Sequence, residues 1–207
     1  LNNAVEFMAS EGPDPGNNNP DIQTIWVTDN ENDAGFVQML ENAGHKVQVE
    51  TATMQGELRL GQIDTLNSVD VVIMSSTVNS GAYNDPAGWN GLSVPVIQIS
   101  PYLVQSNRLQ WINSTNLLNY GGAPLYKAKA PKHPIFDGVT LDANNQIDVL
   151  DPDAGYGNTV FMMTDKLGEE AQLLASRADS GTVAIVYWPT GASFYKGTRQ
   201  NAGGPRM

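Results

Sequence analysis

The sequence has no cysteine and only two histidines. The first absence excludes disulfides, thiolate nucleophiles and Cys-ligated metals together. The second argues against a His-rich metal centre. Positive charge is scarce too: 11 Lys and Arg stand against 22 Asp and Glu, a formal charge of -11 and a pI near 4.4. So acidic a surface repels phosphate backbones and anionic bilayers, and no nucleic-acid partner is expected. No run approaches the roughly 18 consecutive apolar residues of a membrane span, so no membrane insertion is expected.

What is present is ordinary in amount and unusual in kind. The 207 residues are 41% hydrophobic, enough for one domain with a real core. Only 16% are charged, while Asn, Gly and Pro are abundant. Low Lys, high Asn and absent Cys lead us to expect an extracellular or cell-surface bacterial protein. The chain begins Leu1-Asn2-Asn3, with neither a basic n-region nor an apolar h-region, and is read as a processed product or fragment.

Three regions follow from the pattern. In residues 1–10, Leu1, Ala4, Val5 and Met8 recur at i, i+3, i+4 and i+7, an amphipathic helix too short to stand alone. Residues 11–21 are a Pro/Gly/Asn linker. Residues 22–207 read as an α/β domain. Ile22–Thr28, Lys46–Glu50, Val69–Ser75 and Val94–Ser100 are strands. Between the first two, Asp33 caps a helix running to about Ala43, with Phe36, Val37, Leu40 and Ala43 inward and Gly44 as its left-handed cap. Val104–Ile112 is the next predicted helix. Val160–Met163, Gln172–Ser176 and Val183–Trp188 return to strand, with a hairpin turn at Asp179-Ser180-Gly181. This order predicts a doubly wound, mostly parallel, flavodoxin-like sheet with an antiparallel edge hairpin.

Ligands of such sheets bind beyond the carboxyl ends of the strands, so chemistry is expected in those loops first. Asp29-Asn30-Glu31-Asn32-Asp33 carries three carboxylates, the wrong charge for a phosphate site. The spacing of Asp29, Glu31 and Asp33 resembles the start of a calcium loop, but Ala34 stands where a turn glycine is needed. Asp151 and Asp153 form a second weak calcium candidate; no other cofactor is expected. Ser100 occupies the position of a hydrolase nucleophile, yet Gln98 and Tyr102 flank it instead of glycines, and Pro101 has no N–H to offer an oxyanion. His133, between two prolines, is the better placed imidazole; His45 falls in a turn at the opposite end of the sheet. Trp89, Tyr102 and Trp111 sit near the same rim, where rings can stack on sugars.

The segments IWVTDNENDAGFVQMLENAGHKV, VDVVIMSSTVNSGAYND, VPVIQISPYLVQSNRLQWINS and KHPIFDGV occur in that order. Together they resemble a domain of the class I glutamine amidotransferase-like superfamily, of the trehalose-utilisation-protein-like kind, over residues 22–207. The resemblance implies a flavodoxin-like fold and, in working members, a Cys nucleophile on the elbow with a downstream His-x-Glu. Here the elbow residue is Ser100, and neither His45 nor His133 begins that pattern, so ammonia transfer from glutamine is not implied. Such domains end in a strand and an amphipathic helix. This chain stops at Pro205-Arg206-Met207, where that strand should begin, and its residues 1–10 look like the closing helix. Leu1, Val5 and Met8 are therefore expected to dock on this domain or on a neighbouring copy.

The expected role is a non-catalytic structural or interaction module, one repeat or subunit of a secreted, self-associating protein. The alternatives are a saccharide-active hydrolase using Ser100, His133 and Asp29, and a sugar-binding module using the rim aromatics, with glycans as partners.

Overall fold

Three apolar, β-branched runs build the centre of the molecule. The computed structural model describes residues 1–12, 21–30, 33–51, 54, 56–121, 125–148, 158–164 and 166–207. In it the runs form β1 (Gln23–Val27), β3 (Val71–Met74) and β4 (Val96–Gln98). With β2 (Lys46–Glu50) they make a parallel sheet of order β2-β1-β3-β4. Ile25, Val27, Val72, Met74 and Val96 point to one face; Trp26, Val71, Ile73 and Ile97 point to the other. Both faces are covered, which is why these strands read as continuous apolar runs rather than alternating ones.

The second face is covered by α1 (Asn2–Ser10) and α2 (Ala34–Asn42). Val5 and Met8 of α1 are fully buried among Trp26, Ile97, Tyr187 and Met207 of the same chain, each worth about 1.5–3 kcal/mol of apolar burial. Leu1 stays 36% exposed. Polar ties complete the docking. Asn3 Nδ2 donates to the carbonyls of Ile135 and Asp137, and His45 Nε2 meets Asn2 Oδ1 at 2.6 Å. In this structure residues 1–10 pack on their own domain.

The first face carries α3 (Leu60–Leu66), α4 (Ala87–Asn90) and the irregular segments 101–112 and 188–202. The helix predicted over Val104–Ile112 is instead a run of turns. Its apolar residues do face inward, but Gln110 takes a left-handed φ of 60° and the Asn90 amide grips both the Leu109 carbonyl and the Trp111 indole. α2 is also shallower than its pattern: only Leu40 is buried, and Phe36 is 47% exposed. Gly44 does hold the left-handed C-terminal position, at φ 97°.

The largest departure is a second sheet. β5 (Leu117–Gly121), β6 (Leu125–Ala128), β7 (Gln146–Asp148), β8 (Asn158–Met162), β9 (Gln172–Arg177) and β10 (Val183–Tyr187) form a six-stranded sheet of order β5-β8-β10-β9-β6-β7. Its described pairings are antiparallel. The fold is α/β, but it is not a clean flavodoxin-like one with an edge hairpin. The expected β9–β10 hairpin is present, with Gly181 at φ 71°. β8 matches the strand expected over Val160–Met163, while β5, β6 and β7 are short and fall in a stretch without a regular apolar pattern.

Residues 205–207 join the two sheets. Arg206 bridges Val96 of β4 in parallel and Trp188, next to β10, antiparallel. Its guanidinium is fully buried and donates to the carbonyls of Val94, Pro205, Trp89, Asn90 and Leu92. Burial pulls its pKa down to about 9. Carbonyl dipoles, three of them from α4 and the turn after it, take the place of a carboxylate partner.

Candidate functional site

In the order β2-β1-β3-β4 the chain leaves β1 to one side for β2 and to the other for β3. The crevice at the carboxyl ends of β1 and β3 is therefore the switch point where such sheets bind ligands. Thr28, Asp29, Ser75 and Thr77 line up there by following the two strands directly.

A buried carboxylate occupies this crevice. Asp33 Oδ2 accepts from Trp26 Nε1 at 3.0 Å, Thr28 Oγ1 at 2.5 Å and Thr77 Oγ1 at 3.1 Å. Ser75 Oγ lies 3.0 Å from Thr77 Oγ1. Burial alone would raise the Asp33 pKa, but hydrogen bonds from Ser75, Thr28, Trp26 and Thr77 outweigh it and hold it below the ordinary value. The predicted helix-capping role is corrected here: Asp33 makes no side-chain cap bond to α2 and turns to the hydroxyls instead. A carboxylate so served with donors is a weak base, and its Oδ2 is already engaged in ties between the segments after β1 and β3.

Asp29 Oδ2 accepts the Asn79 N–H at 2.6 Å, which pins the loop after β3 to the loop after β1. Glu31, Asp151 and Asp153 lie outside the described residues. Among the described residues no group of three His, Cys, Asp or Glu side chains is placed to hold a metal ion.

Ser100 sits at the carboxyl end of β4, where the strand-to-helix elbow is expected. It is 2% exposed, and its φ is not positive. Pro101 disfavours helical and left-handed backbone at the residue before it, so the strained turn that presents a nucleophile is not made. No helix follows to lend its N-terminal dipole. The Ser100 N–H donates to the Gln98 side chain at 2.9 Å. His133 is elsewhere: its Nδ1 accepts the Ile135 N–H at 3.4 Å, and its ring packs edge-on against Phe7 of α1 at 4.4 Å. Ser100 and His133 make no hydrogen bond to each other. His45 lies before β2, away from the carboxyl edge, and is buried against Asn2.

The aromatic candidates separate sharply. Trp89 and Trp111 are each 1% exposed; Trp89 Nε1 donates to the Gly56 carbonyl, and Trp111 stacks on Phe194 at 5.4 Å. Both are core, which corrects their assignment to a stacking rim. Tyr102 is 45% exposed. Sequence reasoning missed the Asp33 network and Arg206. Asp33 offered one signal, the hydroxyl-bearing residues Thr28, Ser75 and Thr77 just past apolar strands; Arg206 offered none.

No protein-family model matches this sequence, and no curated protein matches it. Solved structures do. One is from Thermoplasma acidophilum and is described as a GMP synthase subunit. It is 11% identical, covers 90% of this chain and 82% of its own, and has a TM-score of 0.50. Two are described as cytoplasmic proteins of Salmonella typhimurium. The first is 11% identical over 89% of this chain and 85% of its own, with a TM-score of 0.50. The second is 9% identical over 89% and 86%, with a TM-score of 0.52. At these identities the likeness is one of fold, and it extends over nearly the whole chain.

Proposed function

We propose that this chain is a non-catalytic interaction module built on a class I glutamine amidotransferase-like scaffold. The observation that carries the reading is the geometry at Ser100. An elbow nucleophile needs an exposed side chain, a strained backbone and bare amides for the oxyanion. Ser100 is buried, unstrained, followed by Pro101, and its own amide is occupied. Amide transfer through a thioester would in addition need a thiol, and the sequence has no cysteine.

The other two classes have less support. A Ser-dependent saccharide hydrolase has no imidazole hydrogen-bonded to Ser100. A sugar-stacking surface retains Tyr102 alone of the three rings named for it. The extracellular setting expected from composition, and the repeat organisation expected from the likeness of residues 1–10 to a closing helix, belong to this reading as its cellular context. Cell fractionation of the native source tests the first: recovery in the culture medium or surface fraction supports it, and recovery with the cytosol overturns it.

Turnover assays test the chemical claim. The purified chain and its Ser100→Ala variant are compared on glutamine, p-nitrophenyl esters and p-nitrophenyl glycosides. The two are expected to be equally inert. Turnover that disappears in the variant would overturn the reading.

A further inference from the structure

Three of the outer strand edges in this fold are guarded. β2 carries Lys46 and Glu50 at its ends, and Lys46 pairs with Asp21. β7 is three residues long and ends in Asp148. β4 is bonded along its outer edge by residues 205–207, through the Val96 and Gln98 amides. Charge, shortness and cover are the devices by which native sheets discourage pairing with other chains.

β5 has none of them. It is an end strand of the six-stranded sheet, and among the described residues no strand pairs with its other edge. It runs five residues against β8 without a register shift, from Leu117 opposite Met162 to Gly121 opposite Asn158. No Lys, Arg, Asp or Glu occurs anywhere from Leu109 to Tyr126. In an antiparallel pair, alternate residues turn both N–H and C=O away from the partner strand. No main-chain group of residues 117–121 bonds to a described residue outside the ladder with β8. Alternate residues of β5 therefore hold out donors and acceptors in register over a rise of ~17 Å.

Both faces beside that edge are apolar. Leu117 stands opposite Met162 and Leu118 opposite Phe161, on alternate faces of the sheet. Met162 and Phe161 are buried, while Leu117 and Leu118 are only half-buried. Two apolar rows thus run outward through β8 and stop part-covered at β5. One more strand, with an apolar residue on each face, completes both rows.

We propose that the outer edge of β5 is a docking site for an extended, uncharged strand of a partner protein, added antiparallel like its neighbours in this sheet. Main-chain pairing selects an extended polypeptide over a compact ligand. The lack of charge along the edge, with leucine on both faces, selects an apolar, β-branched strand over an acidic or basic one. A second copy of this chain fits less well: each copy carries a formal charge of -11, and edge-to-edge pairing sets the two bodies side by side. The inference rests on the reading of this chain as an interaction module and names the class of its partner.

Amide hydrogen exchange of the whole chain tests it. The probe is an acetylated, amidated peptide, Thr-Val-Ile-Val-Thr, with one lysine added at each end for solubility. Exchange at alternate β5 amides is expected to slow by about tenfold or more at saturating peptide, with the β2 and β7 edges unchanged. The same peptide N-methylated at alternate residues keeps its charge and should protect nothing. Asn119→Lys puts a charge on the exposed middle of β5 and should weaken binding by about tenfold at an unchanged urea midpoint. No slowing at β5 overturns the proposal, as does equal slowing by the N-methylated peptide or at the β2 and β7 edges. Slowing at β5 that grows with protein concentration and needs no peptide overturns it in favour of a second copy. Ser100-dependent turnover would overturn the non-catalytic reading and leave these exchange results standing. An inert chain with an unprotected β5 would do the reverse.

Discussion

Nη2 of Arg206 donates to the Leu92 carbonyl at 2.7 Å, a bond between residues 114 apart in the chain. Together with the carbonyls of Val94, Trp89 and Asn90, it fixes the strand at 205–207 to the turn before β4. Removing the guanidinium strands several buried carbonyls at once, each costing about 1–3 kcal/mol. Arg206→Ala is expected to lower stability by about 3 kcal/mol or more. Arg206→Lys should rescue little of it, because one ammonium cannot reach what the planar fork reaches. Urea midpoints read this directly; an unchanged midpoint in either variant contradicts it.

Both histidines hold α1, His45 through Asn2 and His133 through Phe7. Burial lowers both pKa values, against the opposing pull of Glu6 on His45 and of Glu11 and Asp137 on His133. The unfolded chain therefore binds more protons near and below pH 6.5. The stability due to neutral imidazoles is present above that pH and lost as pH falls through the depressed folded values. Protection factors of the α1 amides, taken relative to the intrinsic exchange rate at each pH, should fall from pH 7.5 to pH 5, and His45→Gln should reduce that fall. Protection factors that do not change with pH contradict the role given to both rings.

Asp33 presents the opposite sign. Its folded pKa is lowered, so its contribution is present above the unfolded value near 3.9 and is lost as pH falls below it. Asp33→Asn should cost about 1–3 kcal/mol at pH 7, and less in a Thr28→Val background, where one of its donors is gone. A double-mutant cycle by denaturant unfolding measures the coupling, and strict additivity would contradict the network. Calcium should leave the melting temperature unchanged; a calcium-dependent rise would show that the carboxylate serves a metal.

Met8 is fully buried among Trp26, Ile97 and Tyr187. Met8→Ala is expected to cost about 2–5 kcal/mol. Light scattering of the variant checks whether α1, once loosened, recruits a second copy. The cis-docked helix predicts a destabilised monomer, and a gain of dimer contradicts it.

The parallel half of the fold was legible because Ile25, Val72 and Ile97 lie in runs buried on both faces, a pattern that survives any uncertainty in loops. Of the antiparallel half, β8, β9 and β10 were legible as apolar runs, and β5, β6 and β7 were not. β6 and β7 are short, half-exposed strands separated by an irregular stretch, so Tyr126 opposite Ile147 leaves no local signature. Leu103, Leu109 and Ile112 are buried as a helix face would be, yet the Asn90 side chain pins their loop into turns. At the site, the likeness of Ser100 to an elbow residue and its flaw in Pro101 were both readable. The closure of Asp33 onto hydroxyls from another strand was not, because it depends on which strands become neighbours.

The central claim is that Ser100 is a buried turn residue and not a nucleophile. Treating the folded chain with a fluorophosphonate probe and mapping adducts by mass spectrometry tests it most directly. No adduct at Ser100 is predicted, with labelling no greater than in the denatured chain. A stoichiometric adduct at Ser100, formed only in the folded protein, would contradict it.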